Sequence, residues 1–372
     1  MKFIDEFRDP ESSSRLIRRI RSEAKPDTVY RFMEFCGGHT HTLARHGIKG
    51  LLGAQIQMIH GPGCPVCVLP TARIDMAIDL ALNHKVTLAI YGDCLKVPGS
   101  SGRSLETARA LGASVEVVHG PLEALELAQR LPSKEVVFLA IGFETTTPPS
   151  AHLLLTAKNR KIHNLSLLSN HVLTPPAMQA ILSVNSSEIN LDGIIGPAHV
   201  SVVIGLEPYR KISQSHQIPI VVAGFEPLDM LQAIWLLIRQ VNEGTARIEN
   251  EFSRAVGSQG NEKAQKLVSL VFETRNEFEW RGLGSIPFSG LKPKPEFREL
   301  DAEVRFDLIN HPVPDHKACE CSAILRGIKE PRDCKVFGTA CTPDTPLGAC
   351  MVSSEGACAA EYLYGRNPGA PR

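Results

Sequence analysis

From about residue 28 to 225 the chain sets short apolar runs between amphipathic stretches. Eight runs are of the strand type: YRFMEFC (30–36), QIQMIH (55–60), VTLAIYG (86–92), SVEVVHG (114–120), EVVFLAIGF (135–143), LSLLSNH (165–171), DGIIGPA (192–198) and IPIVVAGF (218–225). They are rich in β-branched residues, and several are apolar almost throughout, as strands covered on both faces are. Between or after them, TARIDMAIDLALN, PLEALELAQRL and PLDMLQAIWLLIRQ place apolar residues three and four apart, the period of a helix with one buried face. Strands alternating with helices in this way predict parallel α/β units.

The series resembles itself. VEVVHGPLEALELA (115–128) and IVVAGFEPLDMLQAI (220–234) both run strand, Gly, Pro-Leu-acid, helix, and FCGGHTH and GFETTTP each follow a strand with a polar turn beside glycine. The fold class expected is therefore α/β, with two similar parallel-sheet domains, over 27–120 and 121–245, that read as a duplication of one unit. An N-terminal helical segment, 1–26, packs on the rest, and its RLIRRIRSEAK run reads as a solvated helix face. Residues 244–280 keep a helical period, including EKAQKLVSLVFE, and GLGSIPFSGLKPKPEF (282–297) reads as a Pro/Gly-rich connector. Residues 246–372 thus form a helical connector and a C-terminal cysteine-rich domain.

Charge narrows the partners. Lys+Arg and Asp+Glu are both 40, so nothing electrostatic points to nucleic acid or an anionic membrane. The N-terminus, MKFIDEFRDPESSS, mixes acids with bases and lacks the apolar core of a secretory signal. The most apolar runs, VVFLAIGF and LQAIWLLI, fall far short of the roughly 20 residues of a membrane span. The expected location is the cytoplasm, where ten cysteines point to metal or redox chemistry more than to a disulfide framework.

Four of those cysteines come early, at 36, 64, 67 and 94, and six crowd between Cys319 and Cys358. In parallel α/β sheets ligands collect at the carboxyl ends of strands. The early polar clusters all fall at such ends: Cys36 with His39 and His41, then Gly61, Gly63, Cys64 and Cys67, then Asp93, Cys94 and Lys96. Glu144, Thr145 and Thr146 end a later strand, and Asn170 and His171 another. Cys36 and His39 offer one metal a thiolate and an imidazole three residues apart, and a helix starting there would acidify the thiol. In GPGCPVC, zinc is disfavoured because no second C-x-x-C exists. A redox dithiol fits a turn between strand and helix, and so does an iron site shared with Cys36. Cys94 reads as a buried structural cysteine.

In the tail, Cys319, Cys334, Cys341 and Cys358 form C-x14-C-x6-C-x16-C, with Cys321 and Cys350 in addition. Four thiolates from one segment suit a 4Fe–4S cluster, and the long unpaired spacings disfavour a zinc ribbon. Cys321 and Cys350 can pair with each other under oxidising conditions. Walker A, G-x-G-x-x-G after a strand, H-E-x-x-H and G-x-S-x-G are all missing.

Together, FCGGHTH, GPGCPVC, IGFETT, SNH and the cysteine tail make the whole chain similar to the HypD family of hydrogenase maturation factors. The resemblance implies help in building the Fe(CN)2CO group of nickel–iron hydrogenases, in complex with the chaperone HypC. Cyanide then arrives from HypE, where it is made with HypF, and the finished unit passes to the hydrogenase large subunit. It implies that Cys36 binds the iron, sharing it with a cysteine of HypC, with His39 its neighbour. Cys64 and Cys67 become a redox dithiol near the iron and candidate ligands, and Cys319, Cys334, Cys341 and Cys358 hold a 4Fe–4S cluster. The arrangement resembles ferredoxin–thioredoxin reductase. Glu144, with Thr145 and Thr146, is expected to orient or protonate an incoming ligand. The expected role is a scaffold with redox activity rather than a stand-alone enzyme. The alternative is an iron–sulfur dithiol oxidoreductase acting on a partner's disulfide, or a structural metal module.

Overall fold

The eight strands read from the sequence all form in the computed structural model, which describes residues 5–183 and 190–365. They are β1 (Tyr30–Glu34), β2 (Ile56–His60), β3 (Thr87–Ile90), β4 (Val115–Val117), β5 (Val136–Gly142), β6 (Leu165–His171), β7 (Gly193–Pro197) and β8 (Ile220–Ala223). A ninth, β9 (Ile248–Asn250), lies in the stretch expected to be helical. Every residue of β5 and of β6 is buried, which is why β5 carries no polar position and the polar residues of β6, Ser166, Ser169, Asn170 and His171, lie inside.

The nine strands build two parallel sheets, one ordered β2-β1-β7-β8-β9 and the other β4-β3-β5-β6. Their membership does not follow chain order: β1 and β2 join β7 to β9, while β3 to β6 form a sheet between them. The grouping of strands expected at 27–120 and 121–245 is therefore corrected, since a cut near 120 divides the second sheet. Nonlocal pairing of β1 with β7 leaves no trace in local periodicity.

Only Glu262–Val271 is helical in the middle of the 244–280 stretch. After it, Phe272–Thr274 pairs antiparallel with Leu291–Pro293, and Glu277–Trp280 with Gly284–Pro287. The Pro/Gly-rich segment is thus half of two small ribbons rather than a free connector. Alternation explains this: Phe278 and Trp280 turn inward while Glu277 faces solvent.

The first long helix, Pro10–Glu23, starts at Asp9, whose carboxylate accepts from Ser12 N at 2.7 Å. It packs Ile20 inward and lies on the helix Pro227–Glu243, with Arg19 over the Trp235 ring at 4.1 Å. No helix among the described residues is long and apolar enough to cross a membrane.

Each sheet reverses strand direction of growth once, between β1 and β7 and between β3 and β5. Crevices outside the carboxyl ends of strands at such reversals are where open α/β sheets bind ligands. Both reversals face one cleft.

Candidate functional site

The cleft encloses about 440 Å³ and is lined from both sheets: Gly63 after β2, Asp93 and Cys94 after β3, Thr145 and Thr146 after β5, and His199 after β7. Glu355, from the cysteine-rich tail, closes it. That tail is tied down by Ser353, whose hydroxyl donates to Asp93 Oδ2 at 3.1 Å.

Cys36 follows β1 after one residue, Phe35, and directly precedes the helix Gly37–Arg45. The preceding strand residue, Glu34, is fully buried and organises the turn. Its carboxylate accepts from Cys36 N at 3.1 Å, from the Thr40 hydroxyl, and from His60 Nδ1 at 2.9 Å. The last of these follows from register, because Glu34 and His60 are paired ends of β1 and β2. Lys49 donates to His60 Nε2 at 3.0 Å, which leaves the Nδ1 proton for Glu34. Burial raises the Glu34 carboxyl to about 8 against the pull of these donors.

The Cys36 sulfur has a histidine beside it, but His199 rather than His39: His199 Nδ1 stands 3.5 Å from Cys36 Sγ. His39 is fully buried and donates from Nε2 to Ala223 O at 3.0 Å, its Nδ1 unpartnered. Both imidazoles lie against Phe225, at 5.1 and 5.4 Å between ring centres. Burial lowers His39 and His199 alike to about 4, so both are neutral bases. The thiol differs from the sequence expectation. N–H groups of Gly38 and His39 favour its anion, yet burial first, and then the carboxylates of Glu355 and Glu34, push Cys36 well above the ordinary cysteine range.

Cys64 and Cys67 are joined as a disulfide, buried behind the cleft wall. Their turn is pressed onto Cys36: Gly37 N donates to Gly63 O at 3.1 Å, and a Cβ on Gly63 would run into the Cys36 backbone. Cys94 is fully buried on the cleft floor, its thiol raised by burial. Glu144 turns away from the cleft. Its two oxygens accept from Thr174 N at 2.8 Å and Thr174 Oγ1 at 2.9 Å, capping the helix Thr174–Ser183. Burial raises it to about 7. Its neighbours Thr145 and Thr146 do line the cleft, immediately before the helix Thr147–Asn159.

In the tail, Cys321 and Cys350 form a second disulfide, while Cys319, Cys334, Cys341 and Cys358 are free thiols around one small cavity. Ile324, Val336, Phe337 and Met351 complete its wall. Burial, and then the mutual proximity of the four sulfurs, push Cys358 far up, and burial takes Cys319 to about 11. Leu347 N donates to Cys341 Sγ at 3.4 Å, and Gly348 is kept open by the Cys319 sulfur, which a Cβ would strike. Four thiols that repel one another as anions inside an apolar wall fit a 4Fe–4S cluster, which takes four thiolates. Among the described residues no three His, Cys, Asp or Glu side chains are grouped to hold a single ion.

His199, Glu34 and Glu355 escaped the sequence reading. His199 directly follows the seventh strand run, so the strand-end rule already contained it. Glu34 was visible as a lone acid inside an apolar strand. Nothing local marks Glu355, which reaches the cleft only through the folding of the tail.

The family described as "HypD: Hydrogenase formation hypA family" matches residues 11–365. The chain is 56% identical over 370 residues to "Hydrogenase maturation factor HypD" of Cupriavidus necator, covering 98% of both chains. It is 57% identical over 369 residues to "Hydrogenase expression/formation protein HupD" of Azotobacter chroococcum, covering 98% of this chain and 97% of that one. To "Hydrogenase maturation factor HypD" of Escherichia coli it is 42% identical over 369 residues, covering 98% of each.

Proposed function

The chain belongs to the HypD family of hydrogenase maturation factors, and from that premise we propose that it is the scaffold on which the Fe(CN)2CO group of nickel–iron hydrogenases is assembled. The observation that carries this reading is the buried Cys36 sulfur 3.5 Å from His199, which with Glu355 lines a cleft fed by both sheet reversals, with the disulfide turn against the Cys36 backbone.

Iron is the cargo. A cation arriving at Cys36 removes the thiol's proton, because coordination favours the thiolate far more than burial opposes it. His199 Nδ1, neutral and 3.5 Å away, is placed to accept that proton. A second thiolate comes from HypC, which makes the iron shared and therefore transferable; soft thiolates suit an iron carrying cyanide and carbon monoxide. HypE delivers the cyanide made with HypF, and the finished unit passes to the hydrogenase large subunit. Thr145 and Thr146, at the amino end of the helix Thr147–Asn159, present the positive end of its dipole to an anionic ligand in the cleft. Glu144 holds that turn in place through Thr174.

A 4Fe–4S cluster held by Cys319, Cys334, Cys341 and Cys358 supplies single electrons when bound. Opening the Cys64–Cys67 disulfide takes two electrons and two protons and leaves two thiols next to Cys36. Burial of that pair argues against a free-standing oxidoreductase, whose thiolate must reach a partner's disulfide.

Anaerobic co-expression with HypC followed by infrared spectroscopy tests the proposal. Bands of bound cyanide and carbon monoxide are expected in the wild-type complex and not with Cys36→Ala. A wild-type complex that carries iron but shows no such bands sinks it.

A further inference from the structure

Arg281 sits between the two cysteine centres. Its backbone N–H donates to Val68 O at 2.8 Å and its Nε to Leu69 O at 2.8 Å, so it grips the chain just past Cys67. Its Nη1 pairs with Asp315 Oδ1 at 3.0 Å, on the segment leading into Cys319, and Thr71 donates to the same oxygen at 2.8 Å. The side chain is almost wholly buried, yet Nη2 has no partner. A guanidinium N–H is rarely left unpaired inside a protein, because its desolvation is then uncompensated. Asp315 is the negative group that acts most strongly on this cation, and Cys319, once it is an anion, comes next, ahead of Glu279 and Asp75.

We propose that Arg281 is a positioning residue that locks the Cys64–Cys67 turn to the Cys319 segment and, through its buried charge, stabilises the reduced form of the four-thiol centre. The inference rests on the reading of Cys319, Cys334, Cys341 and Cys358 as cluster ligands. Reduction adds one negative charge to such a centre, and charge and hydrogen bonds near its sulfurs set its potential. A buried cation raises that potential; Asp315, on the same ion pair, opposes it. The two residues therefore act with opposite sign, which a merely structural pair does not.

The test is a dithionite titration of the anaerobically reconstituted full-length protein, followed by electron paramagnetic resonance. At the wild-type midpoint, Arg281→Gln lowers the ratio of reduced to oxidised centre on the order of tenfold, about 59 mV for a one-electron couple. Arg281→Lys keeps the charge and shifts it less. Asp315→Asn, which still accepts from Arg281 and Thr71 through its amide oxygen, shifts the midpoint upward. Equal midpoints in wild type and Arg281→Gln overturn the inference. So does an Asp315→Asn midpoint at or below wild type, whether or not Arg281→Gln assembles a cluster. If wild type itself gives no cluster signal, both the ligand reading and the inference fall; a wild-type signal with unmoved variants removes the inference alone.

Discussion

At Cys36, a helix start favours the thiolate while burial and two nearby carboxylates favour the thiol, and the second set wins. The thiol is therefore the favoured form at Cys36, and His199 Nδ1 stands 3.5 Å from its sulfur. With His199→Ala, iron recovered with the HypC complex should fall severalfold while the cluster's visible absorption persists; unchanged iron contradicts the assignment. His171 gives a prediction for pH. It is buried with Nε2 unpartnered, and burial lowers it from 6.5 to about 4. Neutral in the folded chain and protonated in the unfolded one, it costs nothing above pH 6.5. It increasingly destabilises the fold as pH falls from there to 4. Relative to His171→Gln, wild type should lose on the order of 3 kcal/mol between pH 7 and 4 in urea unfolding. Parallel pH profiles of the two proteins contradict this. Of the residues at the cleft, the cysteines were legible because few other residues do their chemistry. His199 could have been taken from the strand-end rule, whereas Glu355 acquires meaning only from cleft residues more than two hundred positions away.

The strand-end turns are the elements that line the cleft, and at Gly63 the lack of a side chain lets one of them press onto the Cys36 backbone. Gly63→Ala puts a methyl into the Cys36 backbone. The variant should keep its helical circular dichroism but lose iron with the HypC complex; wild-type iron content would show that the close approach is dispensable. Glu144 is the other turn to test. Glu144→Gln places an amide where two oxygens accept from Thr174, leaving a buried donor mismatched at a cost of roughly 1–3 kcal/mol. A measurable drop in stability together with lost hydrogenase maturation is expected, and normal maturation removes Glu144 from the machinery. All eight strand runs were readable because their apolar character is local. The ribbons between Phe272 and Pro293 were not, because strands of three or four residues carry too few alternations to outweigh a Pro/Gly-rich composition.

Across the whole molecule, the α/β class and the gathering of polar motifs at strand ends were legible, since both follow from short-range pattern and one rule of sheet topology. The interleaving of the sheets was not, and it matters most. It brings the reversal between β1 and β7 to face the reversal between β3 and β5, and so makes one cleft from two sheets. The tail completes the cleft with Glu355, three residues before Cys358. On the proposed reading the protein holds two iron centres of different kinds, a cargo site at Cys36 and a resident four-thiol site, linked by the short stretch of tail from Glu355 to Cys358. Mössbauer spectroscopy of iron-57-enriched complex with HypC, wild type against Cys36→Ser, separates them in one measurement. The low-spin component of the cargo iron should vanish from Cys36→Ser while the cubane doublet stays. A low-spin component that survives in Cys36→Ser, or a cubane doublet that disappears with it, contradicts two distinct centres.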